Sequence, residues 1–390
     1  MWIRELSLTQ FRNYHQQELH LPQGPVLLLG DNAQGKSNLL EAAFLLATGR
    51  SERAATDGEL ICWDALSEPQ PVARVVAEVE RRDGPLQLEV IIVGRPRGAE
   101  RERVPASKRL RVNGVPRRQA DMAGQLTAVL FATNDMELIG GPPAERRRFL
   151  DVTLSQLGPA YLRALQRYTK VVTQRNALLR RIQEGAAGPD ELPFWDEQLA
   201  ADGAVLVHER ALAVAAMAEH AREAHLRLSG GQEELSISYL PRLEGWDQAR
   251  VLREHDGLRE ALTQALDAGR RRDIGAGMTL SGPHRDDLAF ALDGVAASSF
   301  ASRGQQRTAS LALRLAEARF LAERKGDLPV VLLDDVLSEL DEGRRRAVLE
   351  SLGEWDQLLI TSADGDRFGE GLPAAAAVFR VVAGTIIEAR

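Results

Sequence analysis

The chain has 390 residues, with 49 Lys+Arg against 56 Asp+Glu and a formal net charge of −7. A content of 44% hydrophobic and 27% charged residues excludes a disordered, collagenous or coiled-coil rod, and this length holds two or three structural units. Cys62 is the only cysteine, which excludes a disulfide framework or a cysteine-based zinc site and fits a reducing compartment.

In chain order, residues 2–9 alternate as a strand and 26–29 (VLLL) form a short buried one. Residues 37–48 carry apolar side chains at helical spacing. Residues 86–93 and 109–115 read as strands, with Asn113-Gly114 signalling a tight hairpin, and 127–131 as another strand. From about 144 to 228 the pattern turns helical, broken once at 185–193 (GAAGPDELP). That predicts an antiparallel helical hairpin whose arms, about 30 residues each, run roughly 45 Å. Ser229–Gln232 (SGGQ) closes it as a loop, and 235–270 read as a strand and one more helix. A hairpin follows at 287–292 with its Asp293-Gly294 turn. Then come a helix over 304–324, a buried strand 330–334, a helix 341–353, a strand 357–361 and a last hairpin across Ala383-Gly384. No apolar leader opens the chain, and its most apolar helical run, 211–218, is far short of the roughly 18 residues that cross a bilayer. A soluble cytoplasmic protein is expected.

The charge is unevenly spread. Residues 95–181 hold 18 Lys+Arg and 7 Asp+Glu, a net of +11, so the remainder carries −18. This tract is either a basic solvated face or a DNA footprint, with Arg109, Arg111, Arg117 and Arg118 as the candidate contacts. Only Lys36, Lys108, Lys170 and Lys325 are lysines. In so arginine-rich a chain, a lysine marks a position that requires a compact ammonium.

Gly30-Asp31-Asn32-Ala33-Gln34-Gly35-Lys36-Ser37 matches G-x-x-x-x-G-K-[ST], between a strand and a helix as a P-loop requires. Its backbone N–H groups and the helix N-terminus suit phosphates, Lys36 reaches the β/γ-phosphates, and Ser37 ligates Mg²⁺. The apolar strand 330–334 ends in Asp334 and Asp335. Asp334 is the candidate for the Mg²⁺ shell, and Asp335 for polarising the attacking water. Ser302-Arg303-Gly304-Gln305 opens a helix, and Ser338-Glu339-Leu340-Asp341 follows the paired aspartates. P-loop, S-x-G-Q, paired aspartates and S-x-L-D come in the order of the ABC class of ATPases. In that class the signature serine of one subunit caps the γ-phosphate held by the other. Catalytic roles therefore go to Lys36, Asp335 and Ser302, and nucleotide contacts to residues 30–37, Ser302, Gly304, Gln305 and Asp341.

Further stretches narrow the class. Phe11-Arg12-Asn13-Tyr14, Thr48-Gly49-Arg50-Ser51, Gly140–Asp151 (GGPPAERRRFLD) and Gly282-Pro283-His284-Arg285-Asp286-Asp287-Leu288, together with the motifs above, closely resemble the RecF family of bacterial recombination mediators. The resemblance implies an α/β fold: an ABC/SMC-type P-loop ATPase head with an inserted α-helical arm. It suggests head segments at 1–150 and 276–390 and an arm at 151–275. It implies ATP and Mg²⁺ as cofactors, ATP-dependent homodimerisation on single-stranded, double-stranded or gapped DNA, and weak hydrolysis. It further implies loading of RecA with RecO and RecR, with roles in replication and SOS induction. Arg12 and Asn13 should lie beside the nucleotide, and Thr361 where transporters carry a switch histidine. The Mg²⁺-sensing glutamine expected near 131–135 has no counterpart, and His284 and Arg285 have no assigned role. The competing reading is an ATP-binding regulatory module acting mainly through protein partners. A soluble transporter subunit is disfavoured by the long span between P-loop and signature.

Overall fold

The computed structural model describes residues 1–94, 105–353, 355–363 and 377–389, with the backbone alone at 339 and 389. Residues 95–104, part of the basic tract, lie outside the described residues. The chain divides into two compact units. One comprises 1–135, 227–229 and 317–390, and the other 136–226 and 230–316.

The strands are β1 (Trp2–Phe11), β2 (Tyr14–His20), β3 (Gly24–Leu29), β4 (Val72–Glu80), β5 (Leu86–Gly94), β6 (Ala106–Val112), β7 (Val115–Arg117), β8 (Ala128–Ala132), β9 (Leu235–Leu240), β10 (Asp287–Leu292), β11 (Val295–Ala296), β12 (Val330–Asp334), β13 (Gln357–Ser362), β14 (Ala377–Val382) and β15 (Thr385–Ala389). The longer helices are α1 (Lys36–Thr48), α2 (Pro143–Ser155), α3 (Pro159–Gln183), α4 (Leu192–Leu228), α5 (Leu258–Ala276), α6 (Arg303–Lys325) and α7 (Glu342–Leu352).

The first unit carries two sheets. One is antiparallel, in the order β2-β1-β4-β5-β6-β7; the other runs β15-β14-β3-β13-β12-β8 and is parallel except for β15. Helix α1 packs against strands of both sheets. It is buried almost all round, so its sequence shows little amphipathic bias. Gln357 joins the sheets, because its side-chain amide accepts from Ile3 N and donates to Ile3 O, both at 2.9 Å. The three expected tight turns form. Asn113-Gly114, Asp293-Gly294 and Ala383-Gly384 all have both φ values positive, matching the right-handed twist of their strands.

The second unit is a helical layer with the small sheet β11-β10-β9. Helices α3 and α4 form the expected antiparallel pair, unequal at 25 and 37 residues, or about 37 and 55 Å. Three arginine rungs fix their register: Arg210 to Tyr161, Arg167 to Asp202 and Arg175 to Asp196. Arg175 is wholly buried and also bonds Asp273 and Thr279.

The compact units divide at 135/136 and inside α6 at 316/317, and β10 joins the second unit by pairing with β9. Among the described residues, the +11 tract is not one basic face. Arg146, Arg167 and Arg175 pair with Asp287, Asp202, Asp196 and Asp273, all carboxylates from outside the tract. A sum along the sequence could not show that cancellation.

Candidate nucleotide site and signature loop

The P-loop joins β3 to α1 at the C-terminal edge of the parallel sheet, the customary ligand edge of such sheets. Gly30 and Gly35 have positive φ, as does Ala33 at 66°. At Gly35 a side chain is excluded twice over. Its φ is 119°, and a Cβ would stand 2.7 Å from Asn13 Nδ2 and 3.0 Å from the Tyr14 hydroxyl. Asn13 explains its place here: Nδ2 donates to the Gln34 carbonyl at 2.9 Å, and Oδ1 accepts from Asn38 at 2.8 Å. The Tyr14 hydroxyl donates to the Gly35 carbonyl at 2.9 Å. On the other side the β14–β15 turn grips the loop, with Ala383 N donating to Gln34 Oε1 at 2.6 Å and Gly384 N to Gln34 O at 3.0 Å. Asp31, Asn32 and Ala33 remain exposed at the loop tip.

Lys36 is buried, and its ammonium donates to the carbonyls of Gly30 at 2.5 Å and Asp31 at 2.9 Å. Burial lowers its pKa, against the opposing pull of Asp335, Asp334 and Asp31. Ser37 Oγ donates to Asp334 Oδ1 at 2.6 Å, and Thr361 Oγ1 lies 3.0 Å from the same oxygen. Thr361 also accepts from Asp335 N at 2.9 Å, so it ties both aspartates to β13. Two hydroxyls around a carboxylate make an all-oxygen donor set of the kind Mg²⁺ prefers. The residues present therefore fit the ion: Ser37 and Asp334 would hold it, and it would neutralise phosphate charge there.

Asp335 has a left-handed backbone, φ 55°, held by its N–H bond to Thr361 and by Ser338 Oγ donating to its carbonyl at 2.7 Å. Its Oδ1 is buried with no hydrogen-bond partner. An acceptor kept free of protein donors beside Lys36 suits a water-polarising base.

Arg12 sits at the β1–β2 turn, but its guanidinium faces inward. It bonds Glu41 in bidentate fashion at 2.8 and 2.7 Å and the Glu59 carbonyl at 2.9 Å. Asp341 caps α7, accepting from Arg344 N at 2.9 Å. After β8, whose Ala132 pairs with Asp334, the chain reads Thr133-Asn134-Asp135 and offers no glutamine.

Ser302, Gly304 and Gln305 belong to the second unit. They form a reciprocal capping box at the start of α6: Gln305 N donates to Ser302 Oγ at 3.2 Å, and Ser302 N to Gln305 Oε1 at 2.8 Å. Ser302 stays exposed.

The G-P-H-R-D-D stretch is a structural junction of the second unit. Gly282 has φ 118°, and a Cβ there would stand 2.5 Å from the Tyr168 hydroxyl. His284 is bonded at both nitrogens, to the Tyr168 hydroxyl at 2.7 Å and the Thr279 carbonyl at 3.0 Å. Burial pulls its pKa down to about 4, so the ring is neutral. Arg285 bonds the Thr279 carbonyl. Asp286 is buried against Tyr239 and Arg242 N, and Asp287 pairs with Arg146.

The candidate DNA arginines do not share one face. Arg109 and Arg111 lie on the same face of β6. Arg117 pairs opposite Leu110 and points to the other face, and Arg118 is exposed beyond β7. Arg111 and Arg74 flank a buried Glu89, so Arg111 is partly neutralised. Arg109 shares a cross-strand row with Arg74 through Ile91. Asn38, Glu41 and Gln357 were not singled out by the sequence. Only their proximity to the P-loop or their burial marks them.

A P-loop at the edge of a parallel sheet, faced by an aspartate on the next strand but one and a capped S-x-G-Q helix elsewhere in the chain, defines an ATPase head of the ABC/SMC class. The chain matches the family model of the RecF/RecN/SMC N terminal domain over residues 2–385. It is 44% identical to the DNA replication and repair protein RecF of Chloroflexus aggregans, with 99% of each chain covered. It is 43% identical to that of Roseiflexus castenholzii, with 100% of each covered. Among solved structures, the recombination mediator protein RecF-ATP of the RecFOR pathway superposes with a TM-score of 0.85 at 30% identity, covering 100% of this chain and 98% of that one. An SMC head bound to the C-winged helix domain of ScpA shares the fold alone, at TM-score 0.54 and 14% identity. The chain belongs to the RecF family. No described helix is long and apolar enough to cross a membrane.

Proposed function

We propose that this protein is a cytoplasmic, ATP-dependent DNA-binding recombination mediator. It acts in replication and gap repair and helps RecO and RecR load RecA, with SOS induction as a consequence. ATP binds the P-loop with Mg²⁺ and joins two copies, each supplying Ser302 to the other's γ-phosphate. Lys36 holds the β/γ-phosphate oxygens, Ser37 and Asp334 the ion, and Asp335 orients the attacking water. Hydrolysis is slow and releases the dimer. Residues 30–37, Asn13, Ser302, Gly304, Gln305, Asp341 and Thr361 frame the nucleotide, with Arg12 acting through Glu41.

The observation that carries this reading is Ser302, a signature serine held in a fixed cap yet exposed, with the apolar Phe300 76% exposed two residues before it. Both suit a surface that a second copy covers. Because binding to the dimer alone is linked to ATP, Lys36→Met and Ser302→Arg should each abolish ATP-induced dimers and DNA retention. Light scattering that finds Ser302→Arg dimers as stable as wild type would overturn it.

The internal pairing of Arg146, Arg167 and Arg175 favours a second reading, a regulatory module that touches DNA little. Salt dependence separates the two. Reversing Arg109, Arg111, Arg117 and Arg118 should flatten the slope of log affinity against log salt by about one unit for each phosphate no longer neutralised. An unchanged slope favours the second reading.

A further inference from the structure

The signature's capping box is itself held by a residue far away in sequence. Gln305 uses its amide oxygen to accept from Ser302 N, and its amide nitrogen donates to Glu233 Oε1 at 2.6 Å. These two bonds fix which way round the amide sits. The other carboxylate oxygen of Glu233 lies 3.4 Å from Nε2 of His225, which is wholly buried on α4. Glu233 has little freedom to move. It follows the Gly230-Gly231 turn, where both φ values are positive and Gly231 N donates to the Leu226 carbonyl at 2.7 Å. It precedes Glu234, whose N and O both bond Asp293. The second S-G-G-Q of the chain, Ser229–Gln232, is therefore the mount from which a carboxylate reaches the true signature.

We propose that Glu233 is the positioning residue of the S-x-G-Q signature, and that it orients Ser302 toward a nucleotide held by a second copy of this chain. This inference rests on the proposed function, in which Ser302 acts across the dimer. The physical chain is short. With Glu233 accepting from the Gln305 amide nitrogen, the amide oxygen faces Ser302 N. Ser302 Oγ then accepts from Gln305 N, and its hydroxyl proton is left to donate outward to a phosphate oxygen. Without Glu233, the Gln305 amide is free to rotate and the cap loosens. The P-loop of the same copy is untouched.

Full-length Glu233→Ala and Glu233→Asp test this. Alanine removes the acceptor; aspartate keeps the charge but stops one methylene short, and serves if the alanine variant fails to fold. Both should weaken ATP-induced dimerisation, read by light scattering, by about ten-fold or more, the effect of losing one charge-assisted hydrogen bond. Binding of a fluorescent ATP analogue to dilute monomer should not change. Glu233→Gln, which offers a carbonyl oxygen at the same reach, should restore most of the dimer. Mixing locates the defect. Glu233→Ala combined with Lys36→Met should recover dimers, because one composite site of each heterodimer is intact, and Glu233→Ala combined with Ser302→Arg should not. Wild-type dimerisation by both Glu233 variants, or rescue by Ser302→Arg instead of Lys36→Met, overturns the inference. If Ser302→Arg itself dimerises normally, the proposed function fails first, whatever Glu233 does.

Discussion

Arg210 offers the sharpest quantitative test of the second unit. It is 2% exposed and donates to Asp151 at 2.7 Å, the Tyr161 hydroxyl at 3.1 Å and the Pro283 carbonyl at 2.7 Å, with Asp286 3.7 Å away. Asp286 is equally buried. Burial raises its pKa, and Arg210 is the largest influence holding it down. Arg210→Met keeps the packing volume and removes the cation, leaving Asp286 without its main counter-charge. Breaking a buried pair in this way costs about 3–5 kcal/mol, or a melting point lower by about 10 °C for a unit of this size. The loss should depend on pH with a definite sign. Without Arg210, the folded-state pKa of Asp286 climbs further above its unfolded value. The protonated form then favours folding, and the deficit grows as pH rises from 5 to 8. Asp286→Asn in the Arg210→Met background should recover part of the loss, a coupling that a double-mutant cycle reads directly. Thermal and urea unfolding at pH 5.5 and 8 provide the assay. A loss under about 1 kcal/mol, an equal loss at both pH values, or strict additivity would refute the reasoning.

Other outcomes follow from the same geometry. His284 is held neutral with its pKa lowered to about 4, so its stabilising contribution is complete above pH 6.5 and is lost as pH falls toward 4. Stability read from urea unfolding should decline by as much as about 3 kcal/mol over that window, and a similar slope in His284→Gln would count against it. Gly384→Ala sets a Cβ against the Asn13 carbonyl at φ 74° and should weaken ATP binding about ten-fold through the loop it grips, as a fluorescent-nucleotide titration would reveal. Unchanged affinity would mean that the β14–β15 turn does not shape the P-loop. Ser37→Ala should abolish the Mg²⁺-dependent part of ATP affinity by calorimetry and leave binding in EDTA unchanged; equal losses in both would remove Ser37 from the ion's shell.

Much of this fold was legible because its signals are local. The P-loop, the β12 strand ending in Asp334-Asp335 and the Asn113-Gly114, Asp293-Gly294 and Ala383-Gly384 turns each depend on a few adjacent residues. What stayed hidden depends on partners far apart in the chain. The resemblance puts Asn13 and Arg12 beside the nucleotide, but not what each bonds: Asn13 holds Gln34 and Asn38, and Arg12 is claimed by Glu41. The +11 tract reads as a DNA face until Asp287, Asp202 and Asp196 cancel part of it. His284 carries no assigned role in the sequence, and the structure engages both its nitrogens. The strands β2 and β4 were missed; β2 is mostly polar, whereas β4 alternates regularly and is followed by an Asp83-Gly84 turn that could have announced it.

The position of β3 also sets a schedule for synthesis. This strand, which delivers the P-loop, pairs on one side with β13 and on the other with β14. Both neighbours are translated more than 300 residues later. At ribosomal speeds of about 5–20 residues per second, β3 waits about 16–70 s with both edges open. The β1–β2 hairpin and the strands β4 to β7 can assemble meanwhile from what has already emerged. The phosphate loop cannot, because the turn at Ala383-Gly384 that grips Gln34 has not yet been made. A nascent chain therefore lacks the turn that grips Gln34 until residue 384 has been read, and during that interval the open edges of β3 are a liability for mispairing.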